Sequence, residues 1–123
     1  MFIKTRAQII NSDRVQRIFV WEELNRIIGH PHRGDQDRCV CAEIVNGLEY
    51  GDDGTSVPNY SHIALCEYRY GSEWHDTCRE LVSALFDAIN NDENFDVEEW
   101  LMDRKLRKGA EEINEMIKAR KNK

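Results

Sequence analysis

The residues of this 123-residue chain best equipped for chemistry are its four cysteines and four histidines. Cys39 and Cys41 flank Val40 in an apolar stretch that reads as a strand, so both point to one face together with Glu43. Val40, Ala42 and Ile44 line the other face, the better candidate for the core. His30 and His32 lie just upstream, also spaced by two, in a polar loop that can fold back. Two imidazoles and two thiolates make a full tetrahedral set for zinc, and His30, His32, Cys39 and Cys41 are the expected ligands. A closed site of that kind is structural, because zinc catalysis needs an open coordination position. The metal would steady a loop with little apolar content of its own. The competing reading makes Cys39 and Cys41 ordinary strand residues and the histidines loop surface, since the spacing is not a familiar zinc pattern.

A second group comprises His62, Cys66, His75 and Cys78. His75 and Cys78 share a helix face, whereas His62 and Cys66 sit about 13 Å apart along one apparent strand, too far for one metal. Cys66 and Cys78 are expected to be buried as small hydrophobes. A mixed site, with one helix ligand joining Cys39 or Cys41, stays open. No nucleophile motif, marked carboxylate pair, phosphate loop or dinucleotide fingerprint is present, so no enzyme activity is expected.

The elements that must position these residues follow from periodicity. Residues 2–6 alternate as a short edge strand, Ile9 and Ile10 open a second extended segment, and Arg17 to Trp21 is a third. Glu22 to Ile28 suits a helical turn ended by Gly29. Cys39 to Val45 and Ile63 to Tyr70 read as an antiparallel pair with a long connection, in which Asn46-Gly47 and Asp53-Gly54 are turn signals. From Ser72 the period becomes helical: Trp74, Cys78, Leu81, Val82, Leu85, Phe86 and Ile89 form one stripe over a helix at 72–91, with Ser72 as N-cap. A second helix at 96–120 opens on the capping box Asp96-Val97-Glu98-Glu99, stapled by Phe95 and Trp100. Its stripe of Met102, Leu106, Ala110, Ile113 and Ile117 faces either the domain or a partner chain. The expected architecture is α+β: one domain over 1–123, mainly β to residue 70, with a small, mainly antiparallel sheet of three to five strands under the 72–91 helix.

Charge is uneven. The net is −6, yet residues 1–42 carry seven bases and five acids, residues 43–103 carry 15 acids against Arg69 and Arg79, and residues 104–123 carry eight bases and three acids. An acidic balance argues against direct nucleic-acid binding, which needs a basic face. With no apolar run long enough to span a bilayer and no signal-peptide stretch, the chain reads as cytoplasmic. The acidic middle suits a partner with a basic surface. The expected contact residues are Asp87, Asp92, Glu93, Asp96, Glu98, Glu99 and Asp103, with Trp100 as aromatic anchor, although Trp100 also serves as staple and core contact.

The opening Phe2-Ile3-Lys4-Thr5-Arg6, with Ile9-Ile10-Asn11 and Val15, resembles small proteins encoded by phages and mobile elements of Gram-positive bacteria. The likeness covers about the first twenty residues, and Ala7-Gln8 stands where such proteins often carry a Gly-containing turn. Accessory proteins of that origin include anti-CRISPR proteins: compact, acidic, non-enzymatic inhibitors that bind a CRISPR effector nuclease. The resemblance implies an inhibitor acting in the host bacterial cell. The alternative is an oligomeric assembly protein that associates through its C-terminal helix.

Overall fold

The computed structural model describes residues 1–121, without the side chains of residues 49, 50, 57 and 58; Asn122 and Lys123, the end of the basic segment, lie outside the described residues. In chain order the elements are β1 (Phe2–Lys4), β2 (Ile9–Asn11), a 3-10 turn (Ser12–Arg14), β3 (Val15–Leu24), β4 (Gln36–Tyr50), β5 (Ser56–Ala64), α1 (Ser72–Asn90), β6 (Phe95–Asp96) and α2 (Val97–Lys121). The fold is α+β, as the change of period at residue 72 implies.

The strands form two three-stranded sheets, ordered β2-β1-β6 and β3-β4-β5. In the first, β1 is the middle strand rather than an edge: β2 pairs with it antiparallel and Phe95–Asp96 add on the other side in parallel. Two extended residues immediately before a helix give too weak a periodic signal to be read as a strand. The second sheet is fully antiparallel and dominated by the 15-residue β4. Here β3 runs on to Leu24, so Glu22 to Ile28 does not begin as a helical turn. Asn46-Gly47 is not a hairpin turn either. It is a bulge where the register with β5 shifts, and Gly47 adopts φ 128°, a conformation that costs only glycine nothing. The true turn lies at residues 51–55, which makes the β4–β5 connection short. The return strand ends at Ala64, and residues 65–70 continue beside β4 irregularly, through Leu65 N–H to Val40 C=O at 2.8 Å and an Arg38–Arg69 bridge.

Helix α1 packs on β3 and β4 with Cys78, Leu81 and Leu85 inward, against Val40, Ala42, Ile44 and Leu65. Ile3, Ile10 and Val97 extend the same core towards the first sheet. Phe86 and Ile89 fall outside it, so the stripe loses its last turn to solvent. Gly71, not Ser72, occupies the N-cap, with no side-chain cap bond. The start of α2 follows the capping signal: Asp96 Oδ1 accepts the Glu99 N–H at 3.1 Å, and the Phe95 and Trp100 rings lie 6.4 Å apart.

The buried residues of α2 all lie in its first two turns. Val97 and Arg104 are buried and Trp100 and Leu101 half-buried. Arg104, 6% exposed, donates to Glu73 at 3.0 Å and to Glu80, tying α2 to α1 by charge rather than by apolar contact. The stripe read from the sequence points the other way. Met102, Leu106, Ile113 and Ile117 are 57, 65, 59 and 45% exposed.

Candidate functional site

Antiparallel partners share a face, and the register sets Trp21 opposite Cys39, Phe19 opposite Cys41, Arg17 opposite Glu43, and His62 beyond Glu43. The two thiols therefore do share a face with Glu43, but that face is not open. Phe19, Trp21 and His62 pack with ring centroids 5.2–6.1 Å apart, Phe19 edge-on to both others, and Cys39 and Cys41 are 0 and 3% exposed. The thiols are thus buried on a face crowded by cross-strand neighbours, which periodicity along one strand cannot reveal.

The irregular run after β5 delivers Cys66 to the same place. Cys41 Sγ lies 4.0 Å from Cys39 Sγ, and Cys66 Sγ lies 3.9 Å from Cys39 Sγ. Cys66 in turn interacts electrostatically with Cys78 on α1, which extends the row of close thiols from sheet to helix. Cys66 also accepts the Val40 N–H at 3.3 Å. At Cys39 the bond from Cys41 lowers the pKa, but the contact with Cys66 and burial outweigh it and push the thiol up to about 11. At Cys66 the bond to Cys39 lowers it, while Cys78 and burial push it up to about 12. Cys41 is raised by its bond to Cys39 and then by burial, whereas Cys78 is lowered by Cys66. Burial, then the Cys41 charge, likewise lifts the Tyr68 phenol to about 12. Cys39, Cys41 and Cys66 therefore hold their protons at neutral pH, which makes them poor nucleophiles.

The histidine loop closes on itself. Asn25 is buried; its N–H donates to Asp35 C=O at 2.9 Å, its C=O accepts Gly34 N–H at 2.8 Å, and its Oδ1 accepts Ile27 N–H at 3.1 Å. His30 Nδ1 accepts the His32 N–H at 3.1 Å and lies 3.3 Å from the Asn25 amide nitrogen. His32 stacks on Tyr70 with centroids 3.6 Å apart and faces Asp35 at 3.4 Å. The expected metal ligands are thus brought together in pairs, His30 with His32 and Cys39 with Cys41. Among the described residues no three His, Cys, Asp or Glu are placed to hold a metal ion. What the loop lacks in apolar content Asn25 supplies as hydrogen bonds.

The acidic candidates divide by duty. Asp92 takes φ 52° after α1 and accepts the amino group of Met1 at 3.1 Å. Asp96 caps α2 and faces Lys4 at 3.8 Å. Trp100 packs against the core, as its staple role requires. Asp87, Glu93, Glu98, Glu99 and Asp103 are exposed. Among the described residues none of these five lies within 4.0 Å of a cationic nitrogen. They gather where the end of α1 turns into the start of α2.

Comparison with known proteins finds no matching family model, no matching characterised protein and no matching solved structure. Among the described residues, no helix is long and apolar enough to cross a membrane.

Proposed function

We propose that the protein acts by binding other protein chains rather than by catalysis, and that helix α2 is the element it binds with. The observation that carries this is the outward apolar stripe on α2. Its inner side is already occupied by the domain through Val97, Trp100, Leu101 and Arg104, while Met102, Leu106, Ile113 and Ile117 face away. A continuous exposed stripe of this kind marks an association surface.

The partner we propose is a bacterial protein with a basic surface, in the manner of an anti-CRISPR inhibitor docking on an effector nuclease in the host cytoplasm. Two features support it: the resemblance of the first twenty residues, and the five unpaired carboxylates at the α1–α2 junction. Opposite potentials across an interface act mainly on the association rate. Replacing Asp87 and Glu93 by lysine should slow association with a partner captured from host lysate about tenfold at low salt and flatten its salt dependence. An unchanged rate and salt slope would sink the electrostatic part. The second reading, an oligomeric assembly protein, is favoured by the same stripe.

Zinc belongs to the proposal through its soft donors. To bind, zinc would have to draw the His30–His32 and Cys39–Cys41 pairs together and displace the thiol protons; protein purified without added metal should then carry about one zinc per chain. Loss of the metal in His32→Ala would locate it on the loop histidines. Retention there but loss in Cys66→Ser would move it to the thiol row.

A further inference from the structure

We propose that α2 pairs with α2 of a second copy, antiparallel, through its outward stripe. The inference rests on the self-association reading and adds the occupant and its direction. At about 100° per residue, Met102, Leu106, Ile113 and Ile117 fall within roughly 30° of one line along the helix. Arg104, which holds α2 to α1, lies diametrically opposite that line. The four apolar side chains of the seam are thus exposed, and Met102 alone among them borders the groove between α2 and the Tyr70–Trp74 side of the domain. Gly109 and Ala110 sit at its midpoint, where the absence of large side chains lets two backbones approach.

The charges beside the seam decide the direction. Glu99, Asp103 and Lys121 lie on one flank, with Glu99 and Lys121 near opposite ends of the helix; Glu98, Lys105, Glu112 and Arg120 lie on the other. A two-fold antiparallel pair sets each flank against the same flank of its mate, reversed end for end. Glu99 then meets Lys121 of the second copy, Glu98 meets Arg120, and Lys105 meets Glu112, each contact occurring twice. Parallel pairing brings Glu98 against Glu99 and Arg120 against Lys121, which repels at both ends. The helix dipoles also favour the antiparallel arrangement. This pairing uses Glu98 and Glu99 and brings Asp103 onto the covered flank, which leaves Asp87 and Glu93 open to a basic partner.

The test is a charge-swap cycle on the full chain, read as the dimer dissociation constant by sedimentation equilibrium. Both sites are solvent-exposed, and circular dichroism confirms that each variant folds. Glu99→Lys and Lys121→Glu should each weaken the dimer about fivefold, because each loses two flank pairs at once. The double variant Glu99→Lys/Lys121→Glu should return to within about twofold of the unaltered protein. A dimer that Glu99→Lys tightens, or that the double variant fails to restore, overturns the antiparallel pairing while leaving self-association standing. A monomer at every concentration overturns both.

Discussion

Iodoacetamide offers a quantitative probe of the thiol row. An ordinary cysteine with a pKa near 9 is about one-tenth thiolate at pH 8, whereas a thiol pushed up to about 11, as Cys39 is, is about one-thousandth thiolate. Native Cys39 should therefore alkylate at least about 100-fold more slowly than the same residue in unfolded chain. Cys66, pushed up to about 12, should lag about 1,000-fold. Burial slows both further, because Cys39 is 0% exposed. The assay is timed alkylation at pH 8 with peptide-level mass spectrometry, native against urea-unfolded. The same shifts set the sign of the pH dependence of stability. Raised thiol pKa values mean that the folded state keeps protons the unfolded state releases above pH 9. The stabilisation is therefore complete below pH 9 and is lost as the pH climbs to about 11–12. A rise of about two units corresponds to about 3 kcal/mol, shared over the row because its protons come off as a set. The urea midpoint should fall steeply between pH 8.5 and about 11. Alkylation of native Cys39 within tenfold of the unfolded rate, or a flat midpoint, would refute the reasoning.

Other expectations follow from individual contacts. Arg104→Met should cost about 1–2 kcal/mol, since it removes charged hydrogen bonds while Glu73 and Glu80 stay hydrated. It should appear as faster amide exchange over 97–104, with the sheet unaffected. Asp96→Ala, which removes the α2 cap, should cost about 1 kcal/mol in thermal unfolding. Asn25→Ala strips the 25–35 loop of its side-chain bond to Ile27 and its contact with His30, and should speed proteolysis there while lowering global stability by about 1 kcal/mol.

How much of this was readable beforehand depends on range. Helix boundaries and the α2 cap rest on neighbours within four residues, and the sequence placed them within one or two positions. The opposed faces of Cys39-Val40-Cys41-Ala42 followed from strand period alone. What covers the thiol face did not, because it depends on which β3 residues stand across from β4. Phe19 and Trp21 become neighbours of Cys41 and Cys39 only through the register. Cys66 joins the row from an irregular run that has no period to read, and Gly47 marks a bulge in the same sequence that elsewhere makes a turn. The direction of the α2 stripe was open for a similar reason. Arg104, a charged residue, anchors the inner side of the helix, so the apolar side is not the buried one.

The claim that matters most is that the outward face of α2 exists to be covered. Sedimentation equilibrium of the intact chain from low micromolar to near-millimolar concentration, beside Leu106→Asp, tests it without knowledge of any partner. Fully burying a leucine is worth about 2 kcal/mol, and Leu106 is 65% exposed before association. Two copies per dimer make its contribution about 2.6 kcal/mol, or about 70-fold in the dissociation constant before the cost of burying a carboxylate. The account predicts a reversible dimer that Leu106→Asp converts to monomer with its circular dichroism unchanged. Identical monomer masses for both proteins across the whole range would contradict it.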